Sequence, residues 1–378
     1  MGILAGKIVL TGGPCAGKTT ALTRIEQDLT ERGYRVFVIS ESATELIKGG
    51  VRPFGNSPVG LLKFQELILQ YQLKKESVYE QAVKSLPPKQ KCVIICDRGI
   101  MDNKAYINSE QFAAILKEQN LNELELMDSY NLIIHMVTAA DGKAEYYTLE
   151  NNQARTESVS EAIALDDRTS RAWMGHNNLK IIDNSTDFDE KISRAMDSIH
   201  SLLGNPTATR RQRKFLIDLS KSDLSFLDSE DSNQIYMVQT YLDFNDQRER
   251  RLRKRTMNGQ NTYCYTVAKK ETDGLATIYL DKTITEKEYL KLLAMDVNKC
   301  EVRKTRYTFK DSKQYYRLDI FDDQNEYAIL EVEPNKTTDI IIVPSHLDVI
   351  DDVTNNEMYR NSNMAQKQKE LTLKKLTS

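Results

Sequence analysis

Apolar residues fall into two regimes along the chain. Up to about residue 203 they form short runs, at residues 7–11, 34–39, 92–96, 132–137 and 180–183. The continuous run at 92–96 suits a strand covered on both faces. Between them lie segments of helical spacing, at residues 18–32 (with Gly33 placed to end the helix), 59–82 and 109–118. Strand–helix alternation of this kind predicts an α/β domain, a parallel sheet with helices on both faces.

Beyond Gly204-Asn205-Pro206 the pattern switches to alternation of period two, at residues 214–219, 234–244, 250–256, 261–269, 276–280, 301–309, 314–321 and 327–332. Asn258-Gly259, Asp273-Gly274 and Asp322-Asp323 separate several of these runs as turns, and one helical segment covers 286–295. This predicts a second, α+β domain built on an antiparallel barrel or sandwich. The polar stretch 355–378 reads as a surface helix or a frayed tail. The expected division is 1–203, 204–354 and 355–378.

Composition narrows the class. The chain has 378 residues, 40% apolar and 28% charged, with a net charge of −3. It is long enough for two cores and too apolar for disorder, and its bulk charge gives no reason to expect DNA binding. No apolar run reaches the roughly 18 residues of a membrane span. Met1 to Lys7 lacks the basic start of a signal peptide, and Gly6 stands where a myristoylation motif needs Ser or Thr. The five cysteines form no paired framework, and Cys92 and Cys96 read as buried reduced thiols, so the cytoplasm is the expected compartment.

The first chemistry lies directly after the first strand. Gly12-Gly13-Pro14-Cys15-Ala16-Gly17-Lys18-Thr19, continued by Thr20, is a phosphate-binding P-loop between a strand and a helix. Its glycines let backbone N–H groups wrap phosphates, Lys18 is placed for the β- and γ-phosphates, and the Thr19 hydroxyl for Mg²⁺. A nucleoside triphosphate with Mg²⁺ is therefore the expected ligand. Asp97 closes the third strand, where a P-loop protein holds magnesium-bound water or activates a hydroxyl. Glu41 closes the second strand on the same ligand edge. Gln65 and Gln72 follow on a helix that could meet a base or sugar. Arg155, Arg168 and Arg171, between the fourth and fifth strands, are candidates to close over a triphosphate. Asn103-Lys104 and Asn335-Lys336 lack the Asp of the Asn-Lys-x-Asp guanine motif, so the sequence does not select between ATP and GTP.

The runs Glu41-Ser42-Ala43-Thr44-Glu45-Leu46-Ile47, Asp97-Arg98-Gly99-Ile100-Met101-Asp102 and Thr138-Ala139-Ala140-Asp141-Gly142, with Trp173 and His176-Asn177, resemble the NadR-like P-loop ATPase/kinase family over about residues 7–203. That resemblance implies a fold like that of small nucleoside and nucleotide kinases.

In the second half, Arg251, Arg253 and Arg255 alternate along one strand and so share a face. Lys304 with Arg306, Arg317 with Asp319, and Glu331 with Glu333 alternate likewise, interleaved with apolar residues such as Leu252, Leu318, Ile320 and Val332. A barrel with a charged interior and an apolar exterior satisfies this pattern, and such an interior suits a polyphosphate. Arg213-Lys214-Phe215-Leu216-Ile217, the Arg251/Arg253 strand, Thr266-Val267-Ala268-Lys269, Lys304-Thr305-Arg306-Tyr307, Asp319 and Glu331-Val332-Glu333 resemble the CYTH domain, or triphosphate tunnel fold, over about residues 210–351. The resemblance implies anion binding by Lys214, Arg251, Arg253, Lys269, Lys304 and Arg306, with Asp319, Glu331 and Glu333 beside them. One departure matters. The family opens with Glu-x-Glu-x-Lys, whose glutamates hold the catalytic metal, and here that run is Arg210-Arg211-Gln212-Arg213-Lys214.

A NadR-like P-loop domain followed by a CYTH domain is the architecture of the TRPL translocation defect protein family, which the chain resembles over nearly its whole length. The resemblance implies nucleotide binding in the first domain and a phosphate-rich small molecule or phospholipid headgroup in the second. Three activities are compatible with this: an ATP-dependent kinase of a small nucleoside, nucleotide or phosphorylated metabolite; a regulatory ATP/GTP switch; and triphosphate hydrolysis in the barrel.

Overall fold

The computed structural model describes residues 1–142, 158–204, 212–229, 232–242, 248–270, 276–296, 298–311, 314–324, 326–334 and 341–377. The chain divides into two units, Met1–Ala208 and Thr209–Ser378.

The first unit runs β1 Ile3–Thr11, α1 Lys18–Glu31, β2 Arg35–Ile39, α2 Ser42–Lys48, α3 Leu61–Lys84, β3 Lys91–Asp97, a 3₁₀ segment Ile100–Ala105, α4 Ser109–Glu118, α5 Glu123–Asp128, β4 Leu132–Met136, α6 Val159–Ala172, β5 Leu179–Ile182 and α7 Phe188–Leu202. The five strands form a parallel sheet in the order β2-β3-β1-β4-β5. On one face, Ile25 and Leu29 of α1 and Ile192, Ala195 and Ile199 of α7 pack on Ile8, Leu10, Val93, Ile95 and Ile134. Val9, Ile94 and Ile133, which alternate with these, are equally buried, so both faces are covered, as the continuous run at 92–96 requires. Each of the valines, leucines and isoleucines among them contributes about 1.5–3 kcal/mol by leaving water. Cys92 and Cys96 are buried free thiols. Burial pushes Cys92 up to about 11 and Cys96 well above its ordinary value, which leaves both unreactive.

The second unit runs β6 Arg213–Asp218, β7 Ser232–Leu242, β8 Arg248–Met257, β9 Gln260–Lys270, β10 Ala276–Ile284, α8 Glu286–Ala294, β11 Cys300–Asp311, β12 Gln314–Phe321, β13 Tyr327–Val332, β14 Asp348–Asp352 and α9 Asn361–Thr377. Its nine strands form one antiparallel sheet in the order β10-β9-β8-β7-β11-β12-β13-β6-β14. Asn258 and Gly259 both take positive φ, 51° and 75°, in the two-residue turn joining β8 to β9. One face of this sheet carries apolar clusters. Tyr289, Leu292 and Leu293 of α8 cover Leu252, Tyr263 and Ile284 there.

One feature differs from the sequence reading: β14 was not expected, because Asp348, Asp351 and Asp352 hide any apolar alternation. The tail forms a surface helix, α9, and it is docked by one residue: Ala365 is fully buried against Tyr241, Val302, Phe321 and Ile329. These four lie on the same side of the sheet as its charges, so α9 covers one end of the charged face.

Candidate functional site

In the first unit, β1 ends in the P-loop at the carboxyl edge of the sheet, the ligand edge of an open α/β fold. Gly12 has a φ of 140°, and a Cβ there would lie 2.0 Å from the Met136 carbonyl oxygen. Gly17 has a φ of 87°, and a Cβ there would lie 2.4 Å from Cε2 of Phe188. Cys15 is also left-handed at 55°. Alternating hands of this kind turn successive N–H groups inward, making the concave anion nest of a P-loop. Pro14 and Ala16 complete the turn, with Ala16 buried.

Buried side chains brace the loop from behind. Asp166 of α6 accepts from the Gly13 N–H at 2.6 Å and the Thr138 N–H at 3.1 Å, and its other oxygen lies 3.3 Å from His135 Nε2. The Thr138 hydroxyl donates to the Pro14 carbonyl. Asp102 accepts from the Thr11 hydroxyl at 2.7 Å, the Trp173 indole N–H at 2.8 Å and the Gly99 N–H at 2.9 Å. Sequence reasoning assigned no role to Asp166 or Asp102. The signal for Asp166 was a carboxylate on the apolar stripe of α6, beside the buried Ala162, Leu165 and Thr169.

Lys18 donates to the carbonyls of Gly12 and Gly13, at 3.0 and 3.1 Å. Burial and the nearby Arg98 bring its ammonium down to about 8, against the pull of Asp97, Glu41 and Asp102. Those same groups meet at the ends of β2 and β3. Arg98 Nε donates to Glu41 Oε1 at 2.5 Å, and the Thr44 hydroxyl donates to Glu41 Oε2 at 2.6 Å. Burial alone would raise the Glu41 carboxyl, but Arg98, Thr44 and Lys18 outweigh it and hold it at about 2. Asp97 is different: burial raises its carboxyl despite Lys18, and Asp97 Oδ1 is buried with no hydrogen-bond partner among the described residues. Arg98 Nη1 is in the same position, and Arg98 itself sits at a φ of 71°. An unpaired buried carboxylate oxygen and the exposed hydroxyl of Thr19 are donors that could hold Mg²⁺, so the residues present fit that ion. Thr20 is exposed beside Thr19.

The other expected contacts are spread out. Arg168 Nε donates to the Ala105 carbonyl at 3.0 Å, and Arg171 pairs with Asp167 at 2.7 Å along α6. Arg155 lies outside the described residues. Gln72 belongs to a buried network, accepting from Ser42 at 2.5 Å and donating to Glu76 at 2.8 Å. Gln65 is buried, with its Oε1 unpaired.

In the second unit, cross-strand register puts Lys214, Glu331, Arg317, Asp319, Arg306 and Lys304 on one face, with Arg255, Arg253 and Arg251 continuing it onto β8. Lys304 and Asp319 are each only 1% exposed, so this part of the face is withdrawn from solvent, and Lys304 Nζ also reaches Asn361 Oδ1 of α9 at 3.3 Å. The charges divide into two groups. Asp319 accepts from Lys304 at 2.5 Å and from both Arg306 Nε and Nη2, at 2.6 and 2.7 Å. Glu331 receives Arg306 at 2.8 Å, Lys214 at 3.4 Å and Arg317 at 3.7 Å. Burial would raise both carboxyls, and these cations hold them below their ordinary values instead. On β8, by contrast, Arg251 Nε and Arg253 Nε are buried without a hydrogen-bond partner among the described residues. Burial and the adjacent Arg251 bring Arg253 down to about 10, despite Asp281. Glu333 follows the end of β13, and the Lys269 side chain lies outside the described residues.

A divalent metal does not fit this face. Its two central carboxylates are saturated by four cations, and among the described residues no group of three or more His, Cys, Asp or Glu is placed to hold an ion. Among the described residues, no helix is long and apolar enough to cross a membrane.

Comparison with known proteins gives a family match for the first unit. A family model described as an AAA domain matches residues 7–191, the segment that carries the P-loop. No curated protein matches the chain. Among solved structures, the inorganic triphosphatase NE1496 is 24% identical over 42% of this chain and 95% of its own, with a TM-score of 0.31. A second structure, the hypothetical protein NE1496, is 25% identical over 42% and 97%, with a TM-score of 0.31. The PH1819 protein of Pyrococcus horikoshii OT3 is 17% identical over 32% and 77%, with a TM-score of 0.23. Those scores lie below the level that establishes a shared fold, so what is established for residues 7–191 is likeness to a P-loop-type nucleotide-phosphate-binding domain.

Proposed function

We propose that the first unit is a nucleoside-triphosphate-dependent phosphotransferase acting on a small hydroxyl acceptor, and that the second unit binds a phosphate-rich anion. The observation that carries the first part is the convergence of Lys18, Asp97, Arg98 and Glu41 at one sheet edge, with Asp97 Oδ1 and Arg98 Nη1 buried and unpaired. The P-loop amides receive the β- and γ-phosphates, and Lys18 exchanges its two loop carbonyls for phosphate oxygens. Thr19 and Asp97 hold Mg²⁺, which when bound offsets the charge of the phosphates. Glu41, ionised at any physiological pH, accepts a hydrogen bond from the acceptor hydroxyl and orients it, while Arg98 faces the transferring group. The γ-phosphoryl passes to the hydroxyl oxygen, the bond to the β-phosphate oxygen breaks, and the hydroxyl proton leaves to Glu41 or water. The motif resemblance to NadR-like kinases supports the same reading.

The test is acceptor-dependent formation of nucleoside diphosphate across nucleosides, nucleotides and phosphorylated metabolites. Triphosphate turnover that no acceptor stimulates would sink the transferase reading. For the second unit, the unpaired arginine edges of β8 support an anionic ligand held by charge-assisted bonds, a free polyphosphate or a phosphorylated headgroup. Hydrolysis there is disfavoured, because Asp319 and Glu331 are already spent on cations.

A further inference from the structure

We infer that Phe188 is the stacking platform for the nucleobase, and that this side of the base pocket accepts adenine and guanine alike. The inference rests on the nucleotide reading of the P-loop. Phe188 opens α7 and is 43% exposed, although its ring presses on the P-loop: a Cβ on Gly17 would lie 2.4 Å from its Cε2. One part of the ring is thus committed to the segment whose amides face the phosphates, and the rest is open. A large exposed aromatic beside a phosphate nest is where the base of the same nucleotide can lie flat against a π-face.

The segment that carries the ring is also held in place. Arg194, fully buried, donates to the Asp183 carbonyl at 3.2 Å, the Asp183 carboxylate at 2.8 Å, Ser185 Oγ at 3.4 Å and Thr186 Oγ1 at 3.3 Å. Asp187 caps α7 by accepting from the Glu190 N–H at 2.9 Å. Asp189, the next residue after Phe188, pairs with Arg24 of α1 at 2.5 Å. An aromatic fixed before its ligand arrives loses little entropy on binding.

Base tolerance follows from Asn184, the polar side chain of this loop best suited to reading a base edge. Its amide donates to the Thr138 and Asp141 carbonyls at 2.7 and 2.8 Å, and its oxygen accepts from Lys191 at 2.7 Å. Both amide hydrogens are therefore spent on the scaffold, and a π-face does not distinguish purines by hydrogen bonding.

The experiment measures Mg·ATP and Mg·GTP affinity of the full chain by calorimetry, counting only the binding that Lys18→Ala removes. Phe188→Leu keeps an apolar contact with Gly17 and loses the aromatic face. It is expected to weaken both nucleotides by about 5- to 150-fold, the range of base–aromatic stacking, with an unchanged melting temperature of the free protein. Phe188→Trp is expected to keep affinity and to show indole quenching on nucleotide addition, against the single buried native Trp173. Unchanged affinity in Phe188→Leu, or no quenching in Phe188→Trp at saturating nucleotide, overturns the platform. A loss confined to one of the two nucleotides overturns the tolerance. Wild-type protein that binds neither nucleotide through Lys18 overturns the P-loop reading itself.

Discussion

Arg98 Nε and Glu41 Oε1 meet at 2.5 Å, fastening the end of β3 to the end of β2 across the ligand edge. The pairing separates two carboxylates that look alike in the sequence. Glu41 is held ionised by its partners, whereas Asp97 keeps an unpaired oxygen and a raised pKa. Asp97→Asn is therefore expected to remove the Mg²⁺ dependence of nucleotide binding. Glu41→Gln should leave Mg·nucleotide affinity within about 3-fold and lower acceptor-dependent turnover by about 10²–10⁴. Titrating nucleotide with and without EDTA, alongside steady-state assays, tests the division. Intact Mg²⁺ dependence in Asp97→Asn would refute it.

Lys18 makes the ligand-free protein less stable than it could be. Burial and the neighbouring Arg98 disfavour its ammonium, and among the described residues its hydrogen bonds go to two loop carbonyls. Lys18→Met should raise the melting temperature of the nucleotide-free protein by about 2–4 °C, the shift roughly 1 kcal/mol produces in a unit of this size. It should also abolish stabilisation by nucleotide, which reaches about 2.7 kcal/mol at 100 times Kd in the wild type. Thermal melts with and without Mg·ATP check both signs. A Lys18→Met protein that melts lower without nucleotide contradicts the argument.

The local parts of this architecture were legible and the long-range parts were not. The P-loop is a contiguous motif, and its strand and helix neighbours carry their own periodicities, so residues 7–32 could be read directly. Alternation alone exposed the charged face of the second unit. It could not show that Asp319 and Glu331 serve as internal counter-ions while Arg251 and Arg253 do not, because that depends on cross-strand register. Asp102 and Asp166 escaped notice for the same reason. Their partners Thr11 and Gly13 are 91 and 153 residues away in the chain. The polar composition of α9 hid the one alanine that docks it.

Asp102 joins three elements through one carboxylate, and removing it strands the Thr11 hydroxyl, the Gly99 N–H and the Trp173 indole. Buried donors left without acceptors each cost about 1–3 kcal/mol. Asp102→Ala should therefore destabilise the first unit by about 3 kcal/mol or more. Because Trp173 is the single tryptophan, its emission reports the site. The variant should unfold at lower urea concentration, with red-shifted emission before the main transition. Wild-type stability would show that the network contributes nothing net.

The two groups of charge in the second unit should respond to mutation in opposite ways. Arg306→Ala leaves the buried Asp319 and Glu331 without their strongest partner, and breaking a buried pair from one side costs about 3–5 kcal/mol. Arg253 instead is buried beside Arg251 and Arg255, and burial first and those like charges second press its pKa down to about 10. Arg253→Met should leave the fold equally stable or slightly more so, yet lose most affinity for inorganic triphosphate. Because the two central carboxylates of this face, Asp319 and Glu331, are held by cations, wild-type triphosphate binding measured in the Lys18→Ala background should persist in EDTA. Affinity there is expected to fall instead with rising salt, as for a site whose ligand is held by cations. Calorimetry of Lys18→Ala and of Lys18→Ala with Arg253→Met, in EDTA at two ionic strengths, separates these effects. Binding that EDTA abolishes would place a metal on this face and overturn the reading of Asp319 and Glu331 as internal counter-ions.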